Sequence, residues 1–136
     1  MRSLISLVVA IVATVASSPL MAEDGNIAKP NLVLGQAVVG MPKAENQELR
    51  VLTATFKPGD RTVYHTHRHP VAVYVLEGAF TLELEGRAPI VVKAGEAMIE
   101  PPNVPMTGYN RSTSEPTRVV IFYVSDVGAP FLDLHH

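Results

Sequence analysis

The sequence predicts an all-β domain, a single antiparallel double-sheet roll, and three observations carry that expectation. From Glu48 onward apolar residues recur at every second position, the alternating runs are short, and Gly, Pro, Asn and Asp fall between them at regular intervals. Helical periodicity is missing from this stretch. About nine short strands with such turns belong to a sandwich or barrel.

Residues 1–22 read as a secretory signal. Arg2 gives a positive start, residues 4–15 an apolar run, Pro19 a helix break and Ala22 a small residue at the cut. The apolar run is shorter than the ~20 residues that span a bilayer, so cleavage is expected rather than anchoring. The mature chain would begin at Glu23 and be periplasmic or secreted. Residues 23–47 read as a loose arm, rich in Pro, Gly, Ala and Asn, whose apolar patch at 32–34 could add an edge strand. The first strand of the domain covers 49–56, with Arg50, Leu52, Ala54 and Phe56 on one face, and the turn Lys57-Pro58-Gly59-Asp60 closes it. Further strands are expected over 62–67, 71–76, 80–84, 90–92, 97–99, 106–109 and 118–124. Residues 127–136 read as a tail whose end frays, with His135 and His136 as adventitious metal binders.

Composition narrows the chemistry. Without its signal the chain has 114 residues, enough for one core, and ten Lys and Arg face thirteen Asp and Glu, a net charge of −3. A mildly acidic surface without basic runs excludes a nucleic-acid partner. With no cysteine, disulfides, thiolate metal sites and cysteine nucleophiles are excluded, and metal ligands are confined to His, Asp, Glu, Met and backbone oxygen. Neither a nucleophile-elbow pattern nor a phosphate-binding glycine loop occurs.

Two stretches carry the remaining signal. Residues 59–78, GDRTVYHTHRHPVAVYVLEG, set His65, His67 and His69 at alternate positions, so on an extended strand all three share one face. Residues 95–110, GEAMIEPPNVPMTGYN, would form a partner site and carry Met106 where another histidine would be natural. Together they resemble the two motifs of the cupin superfamily, G-x5-H-x-H-x3-E-x6-G and G-x5-P-x-G-x2-H-x3-N. The first falls on Gly59, His65, His67, Val71 and Gly78, with valine in the glutamate's place. The second falls on Gly95, Pro101, Asn103, Met106 and Asn110, with Asn for Gly and Met for His. Asn is a credible replacement because it tolerates a left-handed backbone.

The resemblance covers about 48–126 and implies a single cupin-type double-stranded β-helix, a jelly-roll barrel, with metal ligands on the first-motif strand and a last histidine from the second. Carried over residue by residue, only His65 and His67 keep ligand identity. Val71 cannot coordinate, and the Met106 thioether is a soft ligand that suits copper better than iron, manganese or zinc. Three residues could complete a set. His69 has its Cα roughly 13 Å from that of His65 at about 3.3 Å per residue, a gap that imidazole reach closes if the strand bends at Pro70. Glu100 precedes the Pro101-Pro102 turn, and Met106 is the third. Each also has a plain structural reading, as rim residue, strand-end surface residue and core packing.

The leading expectation is an exported cupin that binds a divalent transition metal (copper, zinc, nickel, iron or manganese) at the barrel mouth through His65 and His67, with a small-molecule ligand beside it and no membrane partner after cleavage. Whether it catalyses a reaction stays open. An oxygenase or isomerase-type enzyme is one alternative, against which the lost glutamate and histidine weigh. A metal-free barrel with an apolar pocket beside Val71 and Met106 is another, and a structural role as an edge-paired homodimer a third.

Overall fold

The computed structural model describes residues 25–136, so the signal read over residues 1–22 lies outside the described residues. The chain divides into two units, residues 1–30 and residues 31–136, and every described strand lies in the second. Its nine strands are β1 (Gln47–Phe56), β2 (His65–Thr66), β3 (Val71–Glu77), β4 (Ala79–Leu84), β5 (Ile90–Lys93), β6 (Ala97–Glu100), β7 (Met106–Tyr109), β8 (Thr117–Asp126) and β9 (Asp133–Leu134). They form two sheets, ordered β1-β8-β3-β6 and β5-β4-β7-β2-β9, with every pairing antiparallel. This is the expected double-sheet jelly roll.

Period-two patterning decides which side chains the sheets enclose. Along β8, Thr117, Val119, Tyr123 and Ser125 are buried while Arg118, Phe122 and Asp126 are exposed. In β3 the buried set is Val71, Val73 and Val75. These meet Met98 on β6 and, from the opposite sheet, Phe80, Leu82, Leu84, Val92 and Met106 in one core. Burying such aliphatic and aromatic side chains contributes about 1.5–3 kcal/mol each before conformational entropy is charged against it.

Two turns show why particular residue types stand where they do. Gly78 has a φ of 74°, and a Cβ there would lie 2.3 Å from the Pro116 carbonyl oxygen, so no other residue fits the corner between β3 and β4. Asn103 has a φ of 60°, the left-handed conformation expected of it, and its N–H donates to the His67 carbonyl at 2.7 Å. That bond ties the second-motif turn to the first-motif strand.

Two expectations change. Residues 31–46 add no edge strand, because Gly35, Gly40 and Pro42 interrupt any run long enough to pair. Nor do residues 127–136 form a free tail. β9 pairs with His65 and Thr66 of β2, and Arg68 holds Asp133 through two hydrogen bonds of 2.8 and 3.0 Å. The strand expected over 62–67 shortens to β2, while Arg61 and Thr62 reach β7 by a bridge to Tyr109 and a hydrogen bond to the Gly108 carbonyl.

Candidate functional site

His65 and His67 point inward from β2 and the residue just beyond it, and both are buried, at 4% and 1% exposure. His65 Nδ1 lies 2.7 Å from the Val63 carbonyl oxygen and His67 Nδ1 lies 2.7 Å from that of Phe131. A carbonyl only accepts, so each Nδ1 carries the hydrogen and donates it. In its neutral form a ring held this way carries its lone pair on Nε2. The two Nε2 atoms face one another at 3.1 Å, with the rings nearly perpendicular, 4.7 Å between centroids. Two lone pairs so placed repel unless a cation or proton lies between or beside them.

Glu100 supplies the third group. Its Oε2 is 3.1 Å from His67 Nε2, and the residue is buried at 5% exposure. It reaches the histidines because β6 pairs with β3 in a register that sets Glu100 directly opposite Val71. Continuing across the sheet, Val71 is opposite Tyr123 and Tyr123 opposite Arg50. One inward row therefore reads Arg50, Tyr123, Val71, Glu100. The carboxylate comes from the strand beside the position where the motif has its glutamate.

Burial, more than any other effect, pulls the pKa of His65 below its ordinary value, and neighbouring His67 pulls the same way. The Val63 carbonyl and the Glu100 carboxylate oppose this without reversing it. His65 is accordingly neutral at pH 7, the form whose Nε2 can ligate. Burial likewise raises the pKa of Tyr123, whose ring packs 5.9 Å from that of His67. The amides of His69 and Arg68 temper that rise electrostatically, yet neither closes a hydrogen bond of good geometry. The Tyr123 hydroxyl and Arg50 Nε are the buried side-chain polar atoms without a hydrogen-bond partner among the described residues.

The other expected residues are placed differently. His69 shares the face, but its Nδ1–H donates to the Gly40 carbonyl at 2.7 Å and its Nε2 lies 3.4 Å from Asp126 Oδ2. Both nitrogens are thus engaged at the rim, away from His65 and His67. Met106 is fully buried opposite His65 in the β2–β7 pair and belongs to the core cluster. Arg68 points outward as expected, to Asp133. Among the described residues no group of three or more His, Asp or Glu side chains is placed to hold a metal ion as it stands, although His67 touches both His65 and Glu100.

Inside the barrel these residues border a cavity of about 60 Å³, whose wall also includes Thr62, Val73, Phe80, Gly108, Phe131 and Leu132. A Cβ on Gly108 would lie 2.4 Å from the Phe80 ring, so glycine is what lets that ring close the cavity floor. The apolar pocket expected beside Val71 and Met106 has no such room. Both side chains are fully buried in the core, and neither contributes to the wall of this cavity.

Structures of known proteins agree with this architecture. A cupin-like protein from Thermotoga maritima superposes with a TM-score of 0.55 at 22% identity, over 64% of this chain and 64% of its own. An uncharacterised conserved protein with a double-stranded β-helix domain from Klebsiella pneumoniae gives 0.55 at 22% identity, over 74% and 90%. The DMSP lyase DddQ from Ruegeria pomeroyi gives 0.55 at 19% identity, over 63% of this chain but 42% of the lyase. At these identities the likeness is one of fold, and the chain spans less than two thirds of the first and third of these proteins. No curated protein matches the sequence. The cupin domain family model matches residues 52–123, more than half of the chain, and takes in β2 to β7 whole with half of β1 and most of β8. With both motifs in that span and both sheets of the jelly roll in place, the chain belongs to the cupin domain family.

Proposed function

We propose that this cupin binds one divalent transition-metal ion inside its barrel through His65 Nε2, His67 Nε2 and a Glu100 carboxylate oxygen. The observation that supports this best is the pair of Nδ1–H···O=C bonds, which turn both Nε2 lone pairs toward one another at 3.1 Å. Ligand atoms on a common metal at bonds of about 2.0–2.1 Å stand roughly 3.0–3.4 Å apart, and a backbone or carboxylate acceptor on the remote nitrogen is the usual companion of a ligating histidine. The Glu100 oxygen, also 3.1 Å from His67 Nε2, fits the same spacing. Two imidazoles and a carboxylate suit zinc, copper(II), nickel, iron or manganese, and a Met106 thioether joining them would favour copper(I).

When bound, such an ion supplies a Lewis acid with positions left for water or a small ligand. The chain's own contribution is orientation and dryness. Val63 and Phe131 fix the rings, Phe80 and Val73 exclude bulk water, and Tyr123 backs His67. Residues 1–22, read as an export signal, would place loading of the metal in the periplasm or outside the cell.

Metal analysis of untagged protein recovered from the exported fraction tests this reading. We expect stoichiometric metal in the unaltered chain, loss in His65→Ala and His67→Ala, and at least tenfold weaker binding in Glu100→Gln. No metal after exposure to zinc, nickel, iron, manganese and copper would sink it.

A further inference from the structure

We propose that residues 127–136 are a strap that gates this site and sets the tautomer of His67, an inference that rests on the metal reading above. The strap follows the end of β8 and runs to β9, which pairs with β2 at the end of the second sheet. The Phe131 ring packs 4.8 Å from that of His67 and 5.4 Å from that of Tyr123. Its carbonyl takes the His67 Nδ1 hydrogen, and the Ala129 carbonyl accepts from Arg50 at 2.9 Å. Phe131 and Leu132 complete the wall of the cavity.

Geometry gives the strap two roles. The cavity under it, about 60 Å³, holds water-sized molecules and no organic ligand. Anything larger reaches the Nε2 atoms only when the strap lifts. Lifting also removes the acceptor that keeps the His67 hydrogen on Nδ1. A neutral imidazole freed of that constraint favours its hydrogen on Nε2, which buries the lone pair a metal needs. Access and metal affinity are therefore opposed: the closed strap holds metal tightly, and the open strap admits ligand while loosening the metal.

The fastenings suit a part that moves. β9 has two residues, the Arg68–Asp133 pair is half exposed on both sides, and beyond it the strap is held by the His135 N–H to Tyr64 carbonyl bond and the ring contact between the same two residues. Exposed ion pairs and short edge strands contribute little to stability. The strands beneath, β3 and β8, are paired on both sides.

The test uses the full chain and needs no variant at first. Amide hydrogen exchange should show the His135 amide, which donates to Tyr64, exchanging at least a hundredfold faster than that of Val73 in β3. Equal protection would overturn the proposal. In metal-free protein the imidazole nitrogen shifts of His67 should report hydrogen on Nδ1, and in Asp133→Ala a mixture with the Nε2 form. With zinc alone, Asp133→Ala and Phe131→Ala should take up metal faster and hold it about tenfold more weakly, the usual effect of losing an orienting partner. Unchanged nitrogen shifts and unchanged uptake in both variants, each still melting cooperatively, would make the strap a fixed wall. If the intact chain took no zinc while the exchange and nitrogen results held, the metal reading alone would fail.

Discussion

Glu100 and Val71 stand directly opposite one another on neighbouring antiparallel strands, both facing the barrel interior. Side chains so paired leave the sheet about 4.5–5.5 Å apart on the same face, a gap that a glutamate's reach spans. A carboxylate can therefore move from position 71 to position 100 and still direct an oxygen at His67. This yields a sharp test by exchange. Glu100→Val alone should weaken zinc binding at least tenfold, and adding Val71→Glu should recover most of the loss, as read by titration calorimetry. A double variant that bound no better than the single one would show that the two positions are not equivalent. The histidines were legible in the sequence because their relation is local, two residues apart on one strand. Glu100 remained one candidate among three because the β3–β6 register, which makes it a partner of the site, is not encoded in motif spacing.

At the scale of elements, alternation located eight of the nine strands, and the Gly and Pro turns bounded them to within a few residues. β9 escaped because nothing local specifies it. Residues 127–136 show no alternating run, and they are held by contacts made elsewhere, Asp133 with Arg68, His135 with Tyr64 and Phe131 with His67. His69, offered both as a ligand and as a rim residue, takes the rim position for a reason just as remote in sequence. Its face was right, but the Gly40 carbonyl that captures its ring lies 29 residues away. The second-motif turn was readable, since Asn at a glycine position announces a left-handed backbone, and Asn103 has one. Asn103→Gly should therefore leave urea stability within a few tenths of a kcal/mol, whereas Asn103→Val, β-branched at φ 60°, should cost about 1–3 kcal/mol. A valine variant as stable as the parent would show that the turn relaxes rather than strains.

For the molecule as a whole, folding buries the His65 imidazole that the unfolded chain leaves in water, so stability depends on pH. The pKa of His65 falls on folding, chiefly through burial. The unfolded chain then binds the extra proton first, and stability rises with pH wherever that difference exists. The contribution of His65 is thus fully present above the ordinary histidine value of about 6.5 and is lost progressively as pH falls through the lower folded value. Asp133 works the same way in a separate window. Arg68 holds its carboxyl below the ordinary value, so its contribution stays intact down to about 3.9 and is lost only under stronger acid. Thermal melts of metal-free protein between pH 7.5 and 5.0 should accordingly show a falling Tm, and His65→Gln, which cannot titrate, should flatten it. Zinc at saturation should raise Tm at pH 7.5 by mass action and raise it less at pH 5.0, because protons compete for the same Nε2 atoms. A Tm independent of pH in the parent would mean that the His65 imidazolium is accepted within the fold, and burial would then not be what keeps its ring neutral.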